Sequence, residues 1–159
     1  MRSARLILCD WNRRSNRKLG DYMIELHGWL SISATYKDED LIPQSEVDSI
    51  KQSVKDIVSN SEYKIDLQYV NGSAFINTLY CSNHRTHEID AIVGIYRHIS
   101  EVATGSYGLI YIRDDEDKNH YNEFQVYVFK RGKCIKKDDI DFSPCIPSIE
   151  DAAANYDLA

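Results

Sequence analysis

Asn71-Gly72 divides two β-type runs, Lys64 to Val70 and Ser73 to Ser82, and no other local feature restricts the fold as much. Both residues accept positive φ at low cost, so the pair fits the two-residue turn whose twist matches that of its flanking strands. A tight hairpin is therefore expected mid-chain. Amphipathic helical patterns lie on either side of it. Upstream, Ser45 with Asp48 three residues on resembles a capping box with the shorter acid, and Val47, Ile50, Val54, Ile57 and Val58 recur at helical spacing to near Asn60. Downstream, Thr86 and Glu88 introduce Ile89, Ile92, Val93, Tyr96, Ile99 and Val102, with Gly105 placed to stop the helix.

Strand patterns complete the order. Ile24 to Tyr36 alternates, with Ile24, Leu26, Gly28, Leu30 and Ile32 on one face and His27, Trp29 and Ser31 on the other. Lys37 to Pro43 reads as a polar loop. Tyr107 to Arg113 and Glu123 to Arg131 form a second hairpin, and Arg131-Gly132-Lys133 turns the chain into a short strand around Ile135. The resulting class is α+β: a mostly antiparallel sheet with two amphipathic helices on one face. Its first six elements match the split β-α-β order of ferredoxin-like folds, with extra C-terminal strands. The end of the chain, with Pro144 and Pro147, reads as irregular.

Charge divides the chain near Met23. Residues 1–22 have no strand or helix period and carry Arg2, Arg5, Arg13, Arg14, Arg17 and Lys18 against Asp10 and Asp21, so a net charge of −6 overall becomes −10 over residues 23–159. This segment reads as a basic arm or as upstream sequence read through from an early start codon, the second being preferred. Residues 23–151 are expected to form one domain and residues 152–159 a flexible tail. A domain this acidic is disfavoured as a direct nucleic-acid binder, because phosphate contacts need a basic face. It suits a positively charged protein partner. No apolar run approaches the roughly 18 residues of a membrane span, and Leu6 to Cys9 is too short for a signal-peptide core. Cys9, Cys81, Cys134 and Cys145 lack paired spacing and read as reduced cytosolic thiols.

The second hairpin has an acidic tip, Asp114, Asp115, Glu116 and Asp117. Adjacent carboxylates repel one another unless water or a positive partner offsets the charge. The tip is accordingly a solvated loop or a docking surface for something basic; it lacks the alternating acids and central glycine of a calcium loop. His84 and His87, followed by Glu88 and Asp90, are the nearest approach to a metal site, but a spacing of three is looser than the usual helical pair and no third ligand is fixed. Surface or capping histidines are the preferred reading, and no metal or cofactor is expected. No glycine-flanked serine elbow, catalytic cysteine context or phosphate-cradling loop is present. Trp29 is either packed on the sheet or an exposed anchor for a partner. Eleven tyrosines, with Tyr107, Tyr111, Tyr121 and Tyr127 around the acidic tip, suit an interface, although alternate tyrosines also pack across a sheet.

Several short phrases occur in a definite order: His27-Gly28-Trp29, Ser82-Asn83-His84-Arg85, Gly105-Ser106-Tyr107-Gly108, Tyr111-Ile112-Arg113-Asp114-Asp115, Asn122-Glu123-Phe124, Lys130-Arg131-Gly132, and the stretch from Ser143-Pro144-Cys145 to Asp151. Together they resemble the immunity protein 7 family of bacterial polymorphic toxin systems, from about Ile24 to Asp151. The resemblance implies a non-enzymatic cytoplasmic antidote that binds and blocks a cognate toxin domain. A basic nuclease is one toxin that the acidity would suit. On that reading Asp114, Asp115, Glu116 and Asp117 are steering charges, and Tyr121, Tyr107, Trp29 and Arg113 are anchors. Two rivals remain from the residues alone: a metal-dependent hydrolase using His84, His87 and nearby carboxylates, and a small-ligand regulatory module by analogy of fold.

Overall fold

In the computed structural model, which describes residues 23–151, the alternating segments assemble into one antiparallel sheet. Its strands are β1 (Ile24–Ile32), β2 (Asp66–Val70), β3 (Ser73–Ser82), β4 (Tyr107–Asp114), β5 (Phe124–Lys130) and β6 (Lys133–Asp138). Their order across the sheet is β2-β3-β1-β4-β5-β6. Helix α1 (Gln44–Ser59) joins β1 to β2 across β3, and α2 (His87–Val102) joins β3 to β4 across β1. The first four strands thus adopt the split β-α-β arrangement, and β5 and β6 extend it by hairpins. The arm and tail expected over residues 1–22 and 152–159 lie outside the described residues.

Both tight turns place their two central residues in the left-handed region, asparagine and glycine in one, arginine and glycine in the other. Asn71 and Gly72 have φ of 50° and 81°, and Arg131 and Gly132 have 51° and 69°. Positive φ at both central positions is the requirement of the type I′ hairpin turn.

One sheet face is the core. Ile24, Leu26 and Leu30 of β1, Ile76 of β3, Ile110 and Ile112 of β4 and Phe129 of β5 meet Val54 of α1 and Ile89, Ile92, Val93, Tyr96 and Ile99 of α2. Tyr96 is the largest of these fully buried side chains. Its hydroxyl donates to Thr78 Oγ1 at 3.0 Å, which satisfies a polar atom deep in apolar surroundings. Burial pushes its pKa up to about 12. Gly28 makes room for the ring, since a Cβ there would lie 3.0 Å from the Tyr96 hydroxyl.

Four boundary expectations need correction. Ser45 does not cap α1: the helix starts at Gln44 behind Pro43, and Asp48 instead accepts from Gln44 Nε2 at 2.9 Å. Proline at φ −60° supplies the entry geometry without a side-chain cap. The first strand ends at Ile32 rather than Tyr36. Ser33 leaves the ladder there, its N–H donating to Ser106 Oγ at 3.3 Å and its hydroxyl to Thr35 O at 3.2 Å. The last strand is a full six residues. After it the chain forms a helical turn, Cys145–Ser148, instead of irregular structure.

Gly108 lets β4 lie close against β1, because a Cβ there would sit 2.1 Å from the Trp29 carbonyl oxygen. A backbone atom cannot move aside as a side chain does. Gly108→Ala is expected to destabilise the fold by about 3 kcal/mol, read as a lower midpoint in urea denaturation. Unchanged stability would refute this strand contact.

Candidate functional site on the open face of the sheet

Among the described residues no helix covers the second face. At the end of the sheet where β4 runs out, this face is closed by the chain's own C-terminal part. Asp139, 8% exposed, accepts from Asp141 N–H at 3.2 Å, Phe142 N–H at 2.9 Å and the Ser143 hydroxyl at 2.8 Å. That knot sets the Phe142 ring against Tyr111 and Phe124, with centroids 6.0 and 6.1 Å apart. Asn122 then clamps the following turn: its Nδ2 donates to Ile146 O at 3.0 Å and its Oδ1 accepts from Ile146 N–H at 2.9 Å. Beyond it, Glu150 reaches Arg113 Nη1 at 2.9 Å.

The acidic tip lies at this same end, and its carboxylates find cations within the chain. Asp114 is 1% exposed and pairs with Arg85 Nη1 at 2.7 Å. Arg85 also reaches Asp90 at 2.8 Å. Glu116 meets His84 Nδ1 and accepts from Arg85 N–H, both at 2.8 Å. Asp117 accepts from Asn119 N–H at 3.0 Å and lies 3.1 Å from His120 Nδ1. Asp115 Oδ1 stands 3.4 Å from Arg113 Nε, within ion-pair range but without hydrogen-bond geometry. Arg113 itself is 3% exposed, so it braces the loop and the C-terminal segment from inside. Of the expected anchors here, only Tyr121 has its ring in solvent.

These contacts also define what His84 does. It is committed to Glu116, and among the described residues no three of His, Cys, Asp or Glu gather in a geometry that could hold a metal. The Cys145 thiol is buried, and burial pushes its pKa up, which leaves it inert as a nucleophile.

Trp29 and Tyr107 stand elsewhere. They occupy the opposite end of the sheet, about 20 Å along β4 from Asp114 at strand rise, and meet edge to face with centroids 6.1 Å apart. Trp29 is 42% and Tyr107 56% exposed. Across the ladder Trp29 is level with Leu109, Leu109 with Val128 and Val128 with Ile135, so an apolar row crosses four strands with no helix of the described residues over it. Leu79 on β3 extends it. Beside it an open groove of about 600 Å³ is lined by Tyr36, Lys130, Arg131, Lys133 and Ile135.

The expected set therefore divides in two: Asp114, Asp115, Glu116, Asp117, Arg113 and Tyr121 at one end, Trp29 and Tyr107 at the other. Lys130, Arg131, Lys133, Leu109, Val128 and Ile135 were not anticipated as site residues. Their signal was legible in β4 and β5, where apolar residues occupy both alternating faces although helices can cover only one.

An α+β sheet with an exposed aromatic row on its open face has the form of a binding protein. The chain belongs to the immunity protein 7 family, whose model matches residues 23–151. Membership makes it an immunity protein directed against a toxin, as the sequence resemblance implied. Comparisons with curated proteins and with solved structures returned no match. No helix among the described residues is long and apolar enough to cross a membrane.

The tip network makes two predictions. Arg85→Ala leaves Asp114 buried without its cation, and about 3 kcal/mol of stability should be lost, measurable by denaturant titration; a loss below experimental error would show the pair to be ornamental. Glu116, Asp117 and Asp139 are each held below the ordinary carboxylate range. The main causes are the Arg85 N–H and then His84 for Glu116, and the Asn119 N–H and then His120 for Asp117. For Asp139, burial pulls upward but is outweighed by the Ser143 hydroxyl and the Phe142 and Asp141 N–H groups. Carboxyls depressed in the folded state stabilise it above their unfolded pKa of about 4, and that contribution fades as pH falls through the folded values. The denaturation midpoint should hold steady from about pH 7 to 5 and fall from near pH 4 downward, less steeply in Asp139→Asn.

Proposed function

We infer that the protein neutralises its toxin by forming a stoichiometric complex in the cytoplasm, without chemistry of its own. The observation that carries this reading is the uncovered apolar row built on Trp29 and Tyr107 in a chain of the immunity family. Exposed apolar patches larger than scattered single residues mark interaction surfaces, and Trp and Tyr dominate the energetics of such surfaces. The ladder holds both rings, so little freedom is lost on binding. The tip carboxylates, drawn inward by Arg85, His84 and His120, act in this reading as a brace and only secondarily as steering charges. A nuclease is not required by it; any toxin domain with a complementary surface is suitable.

The test is co-expression with the small toxin domain encoded beside its gene. The full chain should restore growth, elute with the toxin at 1:1, and protect in proportion to its amount with or without a chelator. Trp29→Ala should weaken the complex at least about 30-fold, read by calorimetry. Protection at far below one chain per toxin, or protection abolished by chelation, would replace this reading with an enzymatic one.

A further inference from the structure

The row through Trp29, Leu109, Val128 and Ile135 is bordered on its Tyr107 side by three cations at the β5–β6 end. Lys130 is level with Tyr107 on β4 and with Lys133 on β6, and Arg131 occupies the turn between β5 and β6. All three side chains are exposed. Tyr36 lies beneath the Arg131 guanidinium, 5.2 Å from ring centroid to Cζ, which holds that group in place by cation–π attraction. Among the described residues none of the three makes an ion pair. This contrasts with the tip, where Arg85 and Arg113 are each engaged by two carboxylates. In a chain of net charge −6, three adjacent unneutralised cations around an apolar groove form a local field opposite to the overall one. The other border carries Asp66, level with Asn77 on β3, which is in turn level with Trp29.

We propose that the toxin surface seated on this face is acidic. An apolar or aromatic projection of the toxin packs over Trp29 and Tyr107, and carboxylates on one flank of that projection meet Lys130, Arg131 and Lys133. The proposal rests on the toxin-binding reading and deepens it by naming the contact chemistry. It also reverses the polarity expected from sequence, since the local charge of the docking face and not the net charge of the chain decides which surface can approach within a Debye length, about 8 Å at physiological salt. Placement at the β5–β6 end fixes orientation too: a toxin turned by half a revolution would bring its carboxylates onto Asp66 at the β2 edge. Arginine stacked on an aromatic suits a carboxylate especially well, because its planar fork donates two parallel hydrogen bonds while the ring holds the plane.

The experiment uses the full chain and the toxin domain from which it rescues cells. Lys130→Glu, Arg131→Glu and Lys133→Glu together should slow association by about 10–100-fold and abolish its slowing by salt, with dissociation less affected. A control triple on the helices, Lys51→Glu, Lys55→Glu and Arg97→Glu, makes the same change in net charge away from the face and should leave the association rate within about twofold. Far-ultraviolet dichroism and melting establish that each variant is folded, and Lys130→Ala with Arg131→Ala provides a milder second test, expected at about 10-fold. Equal slowing by both triples would reduce the effect to net charge and overturn the proposal. So would unchanged or faster association in the face triple. A dimer in sedimentation that Trp29→Ala dissolves would assign the face to a second copy, and a 20-nucleotide RNA bound by wild type but not by the face triple would assign it to nucleic acid; either outcome overturns the proposal. Failure of the wild-type chain to bind any toxin domain would instead remove the reading on which it rests.

Discussion

A sheet with helices on one side has a second face to dispose of, and that constraint organises the rest of the protein. Both helical crossovers, β1 to β2 and β3 to β4, place their helices on the same side, as the split β-α-β order does. The opposite face still carries apolar side chains, because β4 and β5 present Leu109, Tyr111, Phe124, Val126 and Val128 there. Part of that surface is removed from water by the chain itself: Phe142, delivered by the Asp139 knot, leans on Tyr111 and on Phe124, which is 9% exposed. The remainder, from Trp29 to Ile135, has no helix over it among the described residues. The covered part is thus set by the contacts of Phe142 and not by a change in the strands.

The acidic tip shows how far charge can be read from a linear sequence. Four consecutive carboxylates look like an electrostatic liability when only neighbours in the chain are considered. In the fold, β4 ends beside the loop that precedes α2, and that loop carries His84 and Arg85. The carboxylate of Asp114 meets a guanidinium 29 positions away in sequence, at 2.7 Å. Burial makes such a pair strong in breaking rather than in forming, since the desolvation of both ions consumes most of their attraction. Its value is therefore conformational: it fixes the hairpin tip against the start of α2. No local pattern announces this, because the pairing depends on strand register.

Much else was legible. The turn at Asn71-Gly72, both helical stripes, the faces of β1 and the order of elements all follow from periodicities that local chemistry imposes. Ser45 misled because the capping signature is a side-chain pattern, whereas Pro43 begins α1 through backbone geometry. The final segment misled because its structure is made by partners distant in sequence: Asn122 contacts Cys145 and Ile146, and Ser143 accepts from Phe124 N–H at 2.8 Å. The phrases that carry the family resemblance prove to be contact pairs of this kind. His84-Arg85 touches Asp114 and Glu116, Asn122 touches Cys145-Ile146, and Gly108 lies against Trp29. They are largely the scaffold, and Trp29 and Tyr107 are the exposed aromatic members of that set.

Lysines on β6 have a second physical role that bears on the open face. An edge strand offers unpaired N–H and C=O groups to any other strand, and charged side chains are a common guard against such pairing. Lys133, Lys136 and Lys137 on β6 serve that purpose, and Lys136 additionally lies 5.9 Å from the Tyr127 ring on the helix side of the sheet. Edge protection does not account for Lys130 or Arg131, which stand on β5 and in the turn beyond it. Nor does it require Arg131 to be stacked on Tyr36. A guard needs charge that is mobile and hydrated; a recognition site needs charge that is held in register with an apolar contact, so that ordering it on binding costs little. The stacked arginine and the two lysines level with Tyr107 and with each other meet the second requirement, which is why the same border that keeps strands away is suited to receiving a carboxylate.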